Sequence, residues 1–496
     1  MTEPPAVLAL DAEAAADREL IGGKAWSIQR MTALGIPVPP AFVLTTQAGR
    51  RMDGRAALPD DVWREVSAAV AGLEAVTGRR FAAGSRPLLV SVRSGAATSM
   101  PGMMDTVLNL GMTDAAEQAL AEEGGGGAFA ADTHRRFRDQ FEKVVGAPPP
   151  ADPWDQLHRA IVAVLGSWNS PRAISYRESR GLPHDGGTAV TVQAMVFGNL
   201  DERSGTGVLF TRNPLTGGAE PYGEWLPRGQ GEDVVSGRAD ALALADLEIA
   251  MPEVHADLLA AAVRLEADGG DVQDIEFTVE SGVLWLLQTR AAKRSPAAAV
   301  RHAALLAREG RITASEALDR VLPEHVRTLL TPHLDPAEIA ATAALATGKP
   351  ACPGIAVGVV VTTADEALER ADRGEAVVLA RPTTDPDDVA AMSVAVAVVT
   401  ELGGSTSHAA VVCRELAVPC IVGCGARSLR ALAGRIVTVD ASTGTVYPGE
   451  ITVVPGTRVD DPDIALLTRW ARAELADGAP GSLPELLRRR KMEKIR

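Results

Sequence analysis

The stretch from Val394 to Arg414 leaves this chain few folding choices. Val394 to Thr400 is a short apolar run of strand type. Gly403 and Gly404 follow, then Ser405, Thr406, Ser407 and His408, then the helix-forming run Ala409-Ala410-Val411-Val412-Cys413-Arg414. A hydroxyl residue ahead of such a run is an N-cap signature, so the spacing predicts His408 at or near a helix N-terminus. Neighbouring runs (AVGVVV, EAVVLA, CIVG, RIVTVD, TVYPG) alternate strands with short helices, and 346–455 reads as a compact β/α domain with its own core.

That position gives His408 a distinctive chemistry. The positive end of the helix dipole disfavours imidazolium and keeps the ring neutral and nucleophilic. The same end attracts a phosphoryl group. The two glycines let a bulky polyphosphate approach the backbone. A histidine that merely caps its helix is the alternative. The other seven (His134, His158, His184, His255, His302, His325 and His333) sit in no comparable setting and read as surface or packing residues.

Ahead of this domain the pattern changes several times. Residues 1–294 read as one large domain, mixing helix and strand signals at first and mostly helical over 111–186. From Thr188 to Arg290 they turn strand-rich. Residues 295–345 are Ala-rich and read as a helical linker; 456–496 form a tail whose basic end reads as a solvated helix terminus. The chain carries 64 acidic against 49 basic residues, a net charge of −15, so general nucleic-acid binding is disfavoured. Its longest nearly continuous apolar stretch, Val389 to Val399, is too short to span a bilayer, and the acidic start has no signal-peptide pattern. The expectation is a cytoplasmic protein with no membrane partner. Four cysteines are too sparse for a disulfide scaffold; Cys352, Cys413, Cys420 and Cys424 lack zinc-site spacing and read as core residues.

Two places in the first domain suit phosphate. Gly22-Gly23-Lys24 joins a flexible backbone to a cation. Arg93 ends an apolar strand beside Ser94 and Gly95, where its fork of donors can meet phosphate oxygens. The hairpin from Asp274 to Arg290 can be read by parity. Ile275, Phe277 and Val279 make one apolar face, and Val283, Trp285 and Leu287 another. Burying both together requires an odd-length loop. Asp274, Glu276, Gln288 and Arg290 then share the opposite face, with Leu284 and Leu286 limiting its exposure. Hard oxygens and a guanidinium together fit Mg²⁺ and a triphosphate. A solvated face with cross-strand pairs is the alternative.

Six segments together resemble pyruvate, phosphate dikinases: GGKAWSIQRMTALGIPVPPAFVLTT, LLVSVRSGAATSMPGMMDTVLNLG, FGNLDERSGTGVLFTRNPLTGG, YGEWLPRGQGEDVVSG, QDIEFTVESGVLWLLQTR and GGSTSHAAVVCRELAVPCIVGC. They span residue 22 to about 450. The resemblance implies an α/β multidomain chain: an ATP-grasp nucleotide-binding domain with a helical insertion, then a swivelling phosphohistidine domain. It implies that Lys24 and Arg93 hold ATP phosphates, that Arg290 contacts phosphate with Asp274 in support, and that Glu276 and Gln288 bind Mg²⁺. His408 becomes the phosphoryl carrier. Thr406 matches a position that some plant relatives regulate by phosphorylation. ATP and inorganic phosphate are the implied substrates, with a monovalent cation as a further candidate.

The family's pyruvate-binding β/α barrel needs about 250 residues. Only residues 454–496 follow position 453. The expectation is therefore a nucleotide half-enzyme whose pyruvate and phosphoenolpyruvate site belongs to a separate barrel protein. Two alternatives stand beside it: a phosphotransferase acting on another small molecule, and a non-catalytic ATP-binding partner subunit.

Overall fold

The computed structural model describes residues 5–11, 16–52, 57–81, 83–98, 100, 103–184, 186–231, 233, 241–330, 333–454, 461–475 and 480–495. Ser99, Pro101 and Gly102 of the SMPGMMDTVLNLG stretch, most of EDVVSG, and the boundary expected at 455/456 lie outside them. The chain divides into two compact units. One comprises Met1–Thr206, Pro227–Gln230 and Glu276–Arg290; the other comprises Gly207–Leu226, Gly231–Ile275 and Ala291–Arg496.

The first unit is built on an antiparallel five-stranded sheet. Its order is Val7–Ala9, Ala41–Leu44, Ala189–Ala194, Val90–Gly95, Thr106–Leu110. The two central strands are buried along almost their whole length. Helix Arg18–Ala33 buries Ile21, Ala25, Ile28 and Met31, a helical stripe. Asp60–Thr77 does the same with Val62, Val66 and Val70. Residues 114–180 form four helices, two of them started by Asp152 and Ser170 side chains that accept from Trp154 N and Ala173 N ahead of a proline at N1. Phe137, Phe141, Leu157, Ile161 and Val164 of this group pack with Val90, Val92, Val190 and Val192 in one core.

A second sheet runs in the order Leu242–Ala243, Tyr222–Pro227, Gly205–Phe210, Gln273–Glu280, Val283–Ala291.

Within the second unit, 346–448 form an eight-stranded sheet. Its centre is parallel (Ile355–Val361, Val377–Arg381, Ala397–Thr400, Cys420–Val422), and antiparallel strands close both sides. Successive residues feed two different cores: Val377 and Leu379 face one, Val378 and Ala380 the other. Burial on both faces explains why these strands read as continuous apolar runs.

The expected linker and tail behave differently from the sequence reading. Helices Pro296–Arg308, Ala314–Arg320 and Pro323–Leu329 pack with Pro462–Glu474 and Leu483–Ile495 in a single core that includes Val300, Leu306, Val326, Ile464, Leu467 and Leu486. Residues 296–329 are thus a packed element and not a free tether. The basic end is not wholly solvated either. Arg490 is 6% exposed, ion-pairs with Asp319 and Glu474, and donates to Ser315 O at 2.9 Å. The chain enters the β/α domain through His333–Leu334 and leaves through Val453–Val454, and these two strands pair antiparallel. Asp335 N donates to Thr452 O at 2.8 Å and Thr452 N to Glu338 Oε2 at 2.7 Å, completing a two-stranded neck. Among the described residues no helix is long and apolar enough to cross a membrane.

Candidate active site

In the first unit, Gly22 breaks helix Arg18–Ala33 with φ 76°, and Lys24 follows in the restarted first turn. A side chain at Gly22 would place its Cβ 1.9 Å from Gly95 O, so only glycine lets this loop lie on the end of strand Val90–Gly95. Gly23 N donates to Ala96 O at 2.9 Å, and Lys24 Nζ to Ser94 O at 2.8 Å. The lysine loop and the arginine strand are therefore laced together by one backbone bond and one bond from the lysine side chain.

The hairpin supplies the remaining groups. Thr289 N donates to Ser27 Oγ at 2.7 Å, tying it to the lysine helix. Arg93 Nη2 lies 3.4 Å from Gln288 Oε1 and 3.5 Å from Glu276 Oε2, so one guanidinium gathers both expected metal ligands. Burial and the Arg93 and Arg290 cations push the Lys24 ammonium down to about 7, with Glu276 pulling the other way. Three cations thus crowd around one carboxylate. Glu276 and Gln288 offer hard oxygen donors of the kind Mg²⁺ takes, and the cations offer a seat for polyphosphate.

The parity reading of the hairpin needs correction. Its loop has two residues, Ser281 and Gly282, both with positive φ (50° and 82°). An even loop aligns odd-numbered residues of one arm with even-numbered residues of the other. Burial follows suit: Phe277, Val279, Leu284 and Leu286 are all buried, while Val283 is 51% exposed. The expected apolar face of the second arm is its outer one. Asp274, on the same strand as Glu276, is buried, and its charge acts on Arg414.

In the second unit, helix His408–Leu416 starts with His408 at its first position. Ser407 occupies the N-cap position, but its hydroxyl makes no capping bond, so the first-turn N–H groups keep no side-chain cap. Thr384 Oγ1 lies 3.3 Å from His408 Nδ1. Nε2 is buried without a hydrogen-bond partner. Burial pushes the imidazole below the usual histidine value, against the pull of Asp385 and Asp388. In the tautomer whose Nδ1–H donates to Thr384, a neutral ring would present its Nε2 lone pair for attack.

Several residues of this loop's surroundings escaped the sequence reading. Glu224, on strand Tyr222–Pro227, accepts from Ser405 N (3.3 Å), Ser405 Oγ (3.0 Å) and Thr406 Oγ1 (2.9 Å). Tyr222 OH bonds Ser405 Oγ. Buried Arg414 donates through Nη1 to Ser405 O at 2.9 Å and Ala351 O at 3.2 Å. The one available signal was a carboxylate between an aromatic pair in YGEW.

Residues 50–245 match the family described as "Pyruvate phosphate dikinase, AMP/ATP-binding domain", and residues 374–444 match "PEP-utilising enzyme, mobile domain". The pyruvate, phosphate dikinase of Rhizobium meliloti (strain 1021) is 39% identical over 92% of this chain and 59% of its own length. That of Clostridium symbiosum is 39% identical over 88% and 57% respectively. The chain is a homologue of the pyruvate, phosphate dikinases. Chloroplastic pyruvate, phosphate dikinase 1 of Zea mays is likewise 39% identical, over 88% of this chain and 52% of its own length. The chain thus spans little more than half the length of these dikinases. The α/β multidomain architecture agrees with that kinship. The matched ranges include Arg93, Glu224, Thr384 and His408, while Lys24, Glu276, Gln288 and Arg290 fall outside them.

Proposed function

We propose that this chain carries the nucleotide half of a dikinase-type reaction, in which ATP phosphorylates His408. The observation that carries the reading is His408 itself: pushed below its usual pKa by burial, 3.3 Å from Thr384 Oγ1 at Nδ1, and bare at a buried Nε2 on an uncapped helix start. Lys24, Arg93 and Arg290 bind the triphosphate. Glu276 and Gln288 hold Mg²⁺, which supplies charge neutralisation and geometry at the phosphates. Nε2 of His408 attacks the β-phosphorus, the bond to the α-phosphate oxygen breaks, and AMP leaves. Inorganic phosphate then takes the terminal group as pyrophosphate, and phospho-His408 remains. Positioning and electrostatics account for the catalysis, as in phosphoryl transfer generally.

The acceptor in this reading is pyruvate, bound at a site outside the 496 residues. The β/α domain reaches it by moving on the 333–334/453–454 neck, since 296–329 is packed. Thr406 is the place where the loop can be switched. Its hydroxyl already donates to Glu224, so a phosphoryl group there meets a carboxylate and opposes the arrangement.

The test is labelling with ATP carrying ³²P at the β-phosphorus, with Mg²⁺, with and without inorganic phosphate. An acid-labile, base-stable phosphoenzyme is expected, and His408→Ala should lose it entirely while still binding ATP. Equal labelling of the variant would refute the assignment.

A further inference from the structure

We propose that Glu224 is a positioning residue: its carboxylate latches the histidine loop and must let go before His408 can turn to anything else. The inference rests on the reading of His408 as phosphoryl carrier. Glu224 is 5% exposed, and a buried carboxylate needs its lone pairs filled. They are filled almost wholly by the loop. Ser405 offers both N–H and hydroxyl to Oε1, and Thr406 offers its hydroxyl to Oε2. Lys349 Nζ adds a cation 3.8 Å from Oε1. These donors stand three and two residues ahead of His408, so fixing them fixes where the helix begins.

The loop's sequence is fitted to this carboxylate. A Cβ on Gly404 would come 2.2 Å from Glu224 Oε2 and 2.7 Å from Oε1. Glycine at 404 is therefore explained by room for the latch as well as by chain flexibility. Tyr222, two residues before Glu224 on the same face of its strand, adds a bond to Ser405 Oγ. Arg414 grips Ser405 O from the other side. With the latch closed, Nε2 of His408 is out of solvent. On this proposal, releasing the loop is what exposes it to small reagents dissolved in water.

This predicts opposite changes in two labelling reactions on the full chain. Glu224→Gln keeps the shape but swaps one acceptor for an N–H₂ donor. Losing charge-assisted bonds of this kind should slow ATP-driven phosphorylation of His408 by about tenfold or more. Phosphoramidate needs only an accessible imidazole: its P–N bond breaks, ammonia leaves, and Nε2 takes the phosphoryl group. That reaction should quicken several-fold in Glu224→Gln. Thr406→Val should shift both rates the same way, and Thr406→Ser should restore them. Amide hydrogen exchange at Ser405 should speed up in Glu224→Gln. If both labelling rates fall together, or neither moves, the latch is refuted. If the unaltered chain takes no label from ATP, the proposed function fails, and the phosphoramidate and exchange arms still decide the latch.

Discussion

The lysine loop of the first unit and the histidine loop of the second are opposites in how they meet their own charges. The lysine loop of the first unit collects Lys24, Arg93 and Arg290 around Glu276, and burial, helped by the two guanidiniums, lowers the Lys24 ammonium to about 7. The histidine loop of the second unit has its anion in place, with Ser405 and Thr406 closed on Glu224. One region gains stability when a polyanion arrives. The other is satisfied beforehand and gives something up when it moves. On the proposed function, binding and release would fall to different parts of the chain for this electrostatic reason.

The largest effect should come from glycine in the first region. Gly22→Ala meets Gly95 O, a backbone atom that cannot step aside, at a φ that alanine resists. A loss on the order of 3 kcal/mol is expected, with ATP binding lost as the lysine loop detaches from its strand. A thermal-unfolding midpoint and ATP affinity equal to those of the unaltered chain would break the claim that the loop is laced in place.

A smaller effect sharpens the charge argument. With the site empty, the ammonium of Lys24 loses its proton as pH rises through about 7. A bound triphosphate favours the charged form and lifts that value. ATP binding at pH 8 should then take up close to one proton, and affinity should fall by up to about tenfold per pH unit above 7. Calorimetry in two buffers of different ionisation enthalpy measures the uptake. Lys24→Met should abolish it; uptake that persists in the variant would assign the proton elsewhere.

The smallest stability effect should come from Gly404→Ala. Its new Cβ meets a side-chain carboxylate and not backbone, so Glu224 is displaced and the unfolding midpoint falls by less than in Gly22→Ala. The labelling pattern of Glu224→Gln should nevertheless appear. A loss of stability as large as that of Gly22→Ala instead would mean that the histidine loop is held as rigidly as the lysine loop, and the contrast between them would collapse.

What could be read in advance follows from the range of the forces involved. The start of helix His408–Leu416 is local: three hydroxyl residues and a run of good helix formers suffice. Arg93 at the end of a valine-rich strand is equally local. The hairpin was misread because Glu280-Ser281-Gly282 allows loops of either parity, and the left-handed backbone at Ser281 decides between them. Arg490 looked solvated because Asp319 and Glu474 are distant along the chain or hidden among other acids. Glu224 stands some 180 residues from the hydroxyls it holds. No periodicity connects such a pair.

The neck has a consequence of another kind. Because His333–Leu334 and Val453–Val454 are partners, the eight-stranded domain begins and ends at nearly one point. Everything between them can be regarded as a cassette, inserted into a helical bundle whose own two halves, 296–329 and 462–495, already pack together. A segment with adjoining ends can be cut out, exchanged or transplanted without stretching what remains. In this architecture the domain that holds His408 is, topologically, a detachable part.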